Sequence, residues 1–166
     1  MITVKTHQDL EDVLMEPKAP GIKDAYFVLP GDGQNITAIV SGNNGREFNK
    51  THGYFNESQT VEILNCLYGQ GLLVMQRNDE AGEAKEFKMV SLNPGKQVII
   101  PAGFGFSVIN IGKIFLVVLD NSASTQAADN QLKAKRGFAY YVVEKKGEIA
   151  FEPNPNYRVH PQITTE

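Results

Sequence analysis

The chain has 166 residues, a single cysteine and a formal net charge of -3 at neutral pH. That length suits one core, and a near-neutral charge without a basic block offers nothing to a phosphate backbone, which excludes nucleic acid as a partner. Cys66 alone excludes an internal disulfide or a cysteine-based zinc site, and it reads as a packing residue in an apolar strand. The opening MITVKTHQDLEDV is not a basic-then-apolar leader, and no apolar run approaches the ~20 residues of a membrane span. The expected compartment is the cytoplasm.

In chain order, Thr6 is placed to cap a short amphipathic helix over residues 7–15, with Leu10, Val13 and Leu14 at helical spacing and Pro17 and Pro20 ending it. Residues 1–24 therefore read as a helix and lead-in. Aromatic and branched residues make 25–29 a strand, and PGDGQN turns the chain into a second strand at 36–40, which SGNNG closes into a hairpin. Further strands are expected at 46–52, 61–67, 72–76 and 87–92, with RNDEAGEAK as a solvated insert. Strands at 97–100, 106–110 and 114–119 follow at short intervals, as a sandwich or barrel requires. A long polar excursion, DNSASTQAADNQLKAKR, has an Ala-rich part that predicts a helical turn. Residues 138–143 and 149–151 form a last hairpin, which ends a barrel spanning 25–151. The proline-bearing tail, 152–166, is expected to lie extended on the surface.

Two stretches carry the chemistry. In residues 95–110 (GKQVIIPAGFGFSVIN), Gly95, Pro101, Gly103 and Asn110 stand at the spacing G-x5-P-x-G-x2-H-x3-N, with Phe106 in the histidine place. Glycine supplies positive φ, and proline tolerates only an edge or strand start, so these offsets mark turns on either side of the strand Val98-Ile99-Ile100. In residues 48–71, His52, Glu62 and Gly69 match a pattern of two histidines one residue apart, then E-x6-G, with Tyr54 in the second histidine place. Together these resemble the paired motifs of the cupins. The resemblance implies an all-β fold, a double-stranded β-helix or jelly-roll barrel, carrying a short N-terminal helix in a single 166-residue domain.

Most of the chain further resembles the archaeal-type, cupin-fold glucose-6-phosphate isomerases. The likeness lies in REFNKTHGY against F-T-K-G-H-x-H, in EILNCLYGQGLLVMQ, in VINIG at residues 108–112 and in the closing PNPNYR. In that family a divalent metal holds an open-chain sugar phosphate while a proton or hydride passes between C1 and C2. By resemblance His52 matches a metal-binding histidine, and Glu62 the glutamate that ligates metal and acts as base. Asn49 and Thr51 stand where the family has a threonine and a glycine near the substrate phosphate, and Leu64 replaces a substrate-facing tyrosine. The family's strand-exchanged homodimer is the expected assembly, with a small-molecule ligand and no membrane partner.

Strand alternation places Leu64 and Cys66 on the face of Glu62, and Phe104, Val108 and Asn110 on the face of Phe106. Three imidazoles and a carboxylate suit iron, manganese, nickel or zinc, but this chain offers only His52 and Glu62. A phenol of pKa near ~10 is a poor ligand and Phe106 has no lone pair, while Glu57 is a substitute donor within reach along the chain. The cofactor therefore stays open between a divalent metal and none. Three functions follow: a sugar phosphate isomerase of the family type, a metal-free isomerase or epimerase using Glu62 and His52 with Tyr54 as donor, and a binder whose wall is Tyr54, Phe104 and Phe106. A barrel filled by these aromatics is the structural alternative.

Overall fold

Alternating burial along the strands builds three sheets in a computed structural model that describes residues 1–57, 60–122 and 129–166. The elements in order are β1 (Thr3–Thr6), α1 (His7–Leu10), a 3-10 turn (Glu11–Val13), β2 (Asp24–Pro30), β3 (Asn35–Ile39), β4 (Asn43–Asn44), β5 (Glu47–Phe48), β6 (Tyr54–Phe55), β7 (Glu62–Tyr68) and β8 (Gly71–Asn78). After these come β9 (Ala84–Leu92), β10 (Gln97–Ile100), β11 (Gly105–Asn110), β12 (Leu116–Asp120), α2 (Asn130–Lys135), β13 (Tyr140–Lys145), β14 (Glu148–Pro153) and β15 (Ile163–Thr165). No helix among the described residues is long and apolar enough to cross a membrane.

One sheet runs β1-β2-β3-β12-β7-β10, and the second runs β15-β9-β8-β11-β6. Their facing sides bury Ile39, Leu64, Cys66, Val98, Ile100, Leu116 and Val118 against Leu73, Met75, Val90, Phe106 and Val108. Asn110 stitches the sheets together, its amide donating to the Ile39 and Ile114 carbonyls at 2.9 Å each. The third sheet, β14-β13-β5-β4, covers the outer side of the second. Phe87 meets Tyr140 and Phe151 there, and Phe55 meets Phe138. This second cover explains why every residue of β11 is buried instead of every other one.

Several expectations change in the folded chain. The helix stops at Leu10 and tightens into the 3-10 turn, although Thr6 does form a reciprocal capping box with Asp9, and Leu10, Val13 and Leu14 are fully buried. The SGNNG hairpin joins β4 to β5, not to β3. The RNDEAGEAK insert is more than solvated: Glu83 accepts hydrogen bonds from Lys135 at 2.7 Å and from the Arg158 and Val159 amides, and these donors hold its carboxyl down at about 2. The tail it receives is anchored to the fold. Asn154 is fully buried with its amide on the Phe138 and Lys135 carbonyls, and β15 adds a parallel strand to β9. The Ala-rich part of the polar excursion lies outside the described residues, and α2 begins just after it with Asp129 as its cap.

Candidate functional site

The stretch that was expected to be a strand over residues 46–52 keeps regular pairing only at β5, then runs beside β11 with one extra residue. Lys50 bridges Ile109 and Tyr54 pairs with Phe106, so Thr51, His52 and Gly53 stand opposite only Ser107 and Val108. A bulge of this kind reverses which face the following side chains take. Gly53 accommodates it at φ 83, where an added Cβ would sit 2.8 Å from the Phe106 carbonyl oxygen. Gly53→Ala is expected to lower stability by roughly 1–3 kcal/mol, read as a fall in the urea midpoint, because that carbonyl belongs to a paired strand and cannot retreat.

The bulge separates the residues of the first motif. Tyr54 turns inward: its hydroxyl donates to Glu62 Oε2 at 2.7 Å, and its ring meets Phe106 edge-on with centroids 4.8 Å apart. His52 instead lines a small pocket beneath the third sheet with Lys50, Ser107 and Phe138. Its Nδ1 faces the Gly53 carbonyl at 3.1 Å, its Nε2 is buried without a partner, and burial holds its pKa below the usual imidazole value. Pairing His52 with Glu62 as acid and base is therefore corrected: the two point to opposite sides of the β6–β11 ladder.

Other expected site residues divide similarly. Leu64 and Phe106 lie on the inner faces with Glu62, as does Phe104, over whose ring Lys88 Nζ stands 5.4 Å from the centroid. Asn49 was expected to meet a ligand but is fully buried, with its amide on the Ala25 and Val40 carbonyls at 2.8 Å each. Thr51 is similarly committed, its hydroxyl accepting the Val108 amide at 3.0 Å. Glu57 is exposed, not turned into the barrel.

Three polar residues that the sequence reading passed over complete the cluster. Asp120 raises the Glu62 pKa electrostatically, adding to the larger effect of burial and opposing the Tyr54 hydrogen bond. The Ser122 hydroxyl bonds to Asp120 and also reaches Tyr54, and Asn35 donates to Ser122 Oγ at 3.1 Å. Alternation carried one residue past Leu119 would have found Asp120, which shares the inward face of Val118 and Leu116. Burial first, and then the bond to Glu62, push the Tyr54 pKa far up, so the phenol keeps its proton.

The residues present do not fit a transition-metal centre. Among the described residues no group of three or more His, Cys, Asp and Glu side chains is placed to hold a metal ion. Tyr54 is a protonated phenol, Phe106 is a phenyl ring with no lone pair, and His52 faces away.

Facing sheets, the two turn-and-strand motifs and an inward carboxylate between them define a cupin. Within that class the chain belongs to the family described as glucose-6-phosphate isomerase (GPI), which matches residues 31–159. It is 26% identical over 151 residues to the glucose-6-phosphate isomerase of Pyrococcus furiosus, covering 87% of this chain and 77% of that protein. To the enzyme of the same description from Pyrococcus abyssi it is 28% identical over 151 residues, with the same coverage. Among solved structures, the cupin domain of CENP-C from Drosophila melanogaster superposes with a TM-score of 0.44 at 12% identity, over 59% of this chain and 68% of that one.

Proposed function

We propose that this protein is a metal-independent isomerase that moves a proton between neighbouring carbons of an open-chain sugar phosphate, with Glu62 as base and Tyr54 as acid. The observation that carries this reading is the 2.7 Å bond from the Tyr54 hydroxyl to Glu62, formed inside the barrel. A carboxylate with a raised pKa is a stronger base, and a phenol with a raised pKa holds its proton until an oxyanion develops beside it. Glu62 takes the proton from C2 of the aldose while Tyr54 gives its own to the C1 carbonyl oxygen, which leaves a neutral enediol, protonated Glu62 and a Tyr54 phenolate. The C2 hydroxyl then returns a proton to Tyr54, and Glu62 delivers its proton to C1. The product is the ketose and both side chains are restored.

A coupled assay with fructose 6-phosphate on chelator-treated protein tests this. Turnover is expected without added metal, and Tyr54→Phe should lower kcat about 10²-fold with KM little changed. Turnover that appears only after adding Mn, Fe, Ni or Zn sinks the reading. Tight binding of the sugar phosphate without turnover would leave a binding protein on the same barrel.

A further inference from the structure

The outer face of the first sheet is apolar, where the solvated face of an antiparallel sheet would turn polar residues outward. Register lines up Val4, Phe27, Ala38, Val117 and Tyr68 in one outward row across β1, β2, β3, β12 and β7. The adjacent row is Leu29, Ile36, Leu119, Asn65 and Gln97, and Ile63 pairs with Ile99 beyond it. Only Asn65 and Gln97 of these are polar and none is charged, in a chain that is 21% charged. Val4, Leu29, Tyr68 and Ile99 stand between 42% and 58% exposed, and the apolar residues between them are half-buried by their neighbours.

The strands of this sheet have the composition of strands covered on both sides. In β12 the run Leu116-Val117-Val118-Leu119 is apolar on both faces, as β11 is, and the third sheet supplies the second cover of β11. The second face of β12 stays open. Its open side chains, with Ile2, Leu67 and Phe115 at the fringe, each bare about half of an area on the order of 200 Å², so one copy offers roughly 700 Å². A stable interface takes about 800 Å² from each partner, and the half-buried residues of the two rows make up the difference. A face without charge offers no complement to an acidic or basic partner, but under a two-fold axis it is its own complement.

We propose that the outer face of the first sheet is an interface between two copies of this chain, stacked sheet on sheet about a two-fold axis with β3 and β12 at its centre. In this dimer β1 stays paired with β2 of its own chain over Thr3–Thr6, so the assembly is built without the exchange of strands that the family resemblance implies. Glu62 and Ile63 are neighbours on β7 and point to opposite sides. Stacking on the outer face therefore leaves both barrel interiors as they are, and the proposal is independent of the acid–base reading.

Sedimentation equilibrium of the full chain at micromolar concentration is the test, and it does not depend on turnover. The wild-type protein is expected to sediment at twice its 18.3 kDa chain mass. Val117→Lys sets like charges against each other beside the axis and should raise the dimer dissociation constant about 100-fold, and Tyr68→Glu, at an exposed position of the same row, about tenfold. Ile149→Glu, at a comparably exposed apolar position on the third sheet, should leave it unchanged. A wild-type protein that stays monomeric at tens of micromolar overturns the proposal. So does a dimer that keeps its wild-type constant in both face variants, because its contact then lies elsewhere, strand exchange included. Tyr68→Glu keeps the test decisive if Val117→Lys does not fold, since an unchanged constant in that variant, with wild-type circular dichroism, also overturns it. A monomer that floats with phosphatidylcholine vesicles would give the face to lipid and overturn the second copy as its occupant.

Discussion

Glu62→Gln is expected to lower turnover by about 10³-fold and, in the same protein, to raise the melting temperature. The first effect follows from removing the base that the Tyr54 hydroxyl touches, because an amide cannot take the carbon-bound proton. The second follows from burial. Glu62 is 7% exposed with Asp120 nearby, and its carboxyl titrates above the ordinary glutamate value, so folding favours the protonated form. Stability from such a group is complete below the unfolded pKa, falls as pH rises through the raised folded value, and stays low above it. A glutamine never ionises, so the gap in melting temperature between variant and wild type should be absent in acid and open as pH rises. Gln retains the acceptor that Tyr54 donates to, which keeps the comparison free of a new unpaired group. Thermal scans from acid to neutral pH check this, and a variant no more stable than wild type at neutral pH would mean that Glu62 carries no functional strain.

The second large effect lies outside the barrel. Lys50→Met should cost roughly 3–5 kcal/mol, because it strands the buried partner of an ion pair. Lys50 Nζ is 2.5 Å from Glu47 Oε2 and donates to the Val13 carbonyl at 2.6 Å, and Glu47 is 1% exposed. Burial raises the Glu47 pKa even with Lys50 beside it. In a chain of this size the loss corresponds to a drop in Tm of about 10 °C. Without Lys50 the carboxyl favours its neutral form still more, so the deficit should be smaller in acid than at neutral pH. Replacing both partners, Glu47→Leu with Lys50→Met, should recover much of the stability, since a matched apolar pair leaves no orphaned charge. A single variant as stable as wild type across that pH range would show that the pair is dispensable.

Much of the frame was legible along the chain because it depends on local periodicity. The strand at 97–100 has the same limits in the fold, β7 buries Glu62, Leu64 and Cys66 in alternation, and Thr6 caps the first helix. Turn residues such as Gly95 and Gly103 sit at positive φ, where the motif spacing required them. The candidate site was only half legible. His52 and Tyr54 differ by two positions, which on a regular strand means one shared face, and the bulge ending at Gly53 breaks that inference. Nothing in REFNKTHGY announces the extra residue, because a bulge is defined by the partner strand's hydrogen bonds and not by the bulged strand alone.

The sequence by itself determined the barrel class and the inward position of Glu62 and Phe106, since both follow from motif spacing and strand alternation. Only the tertiary structure decided that His52 faces away from Glu62 and that Asp120, Ser122 and Asn35 form one hydrogen-bonded group. Those facts depend on register between strands far apart in the chain. Register is set by how whole faces bury against one another, which no local pattern encodes.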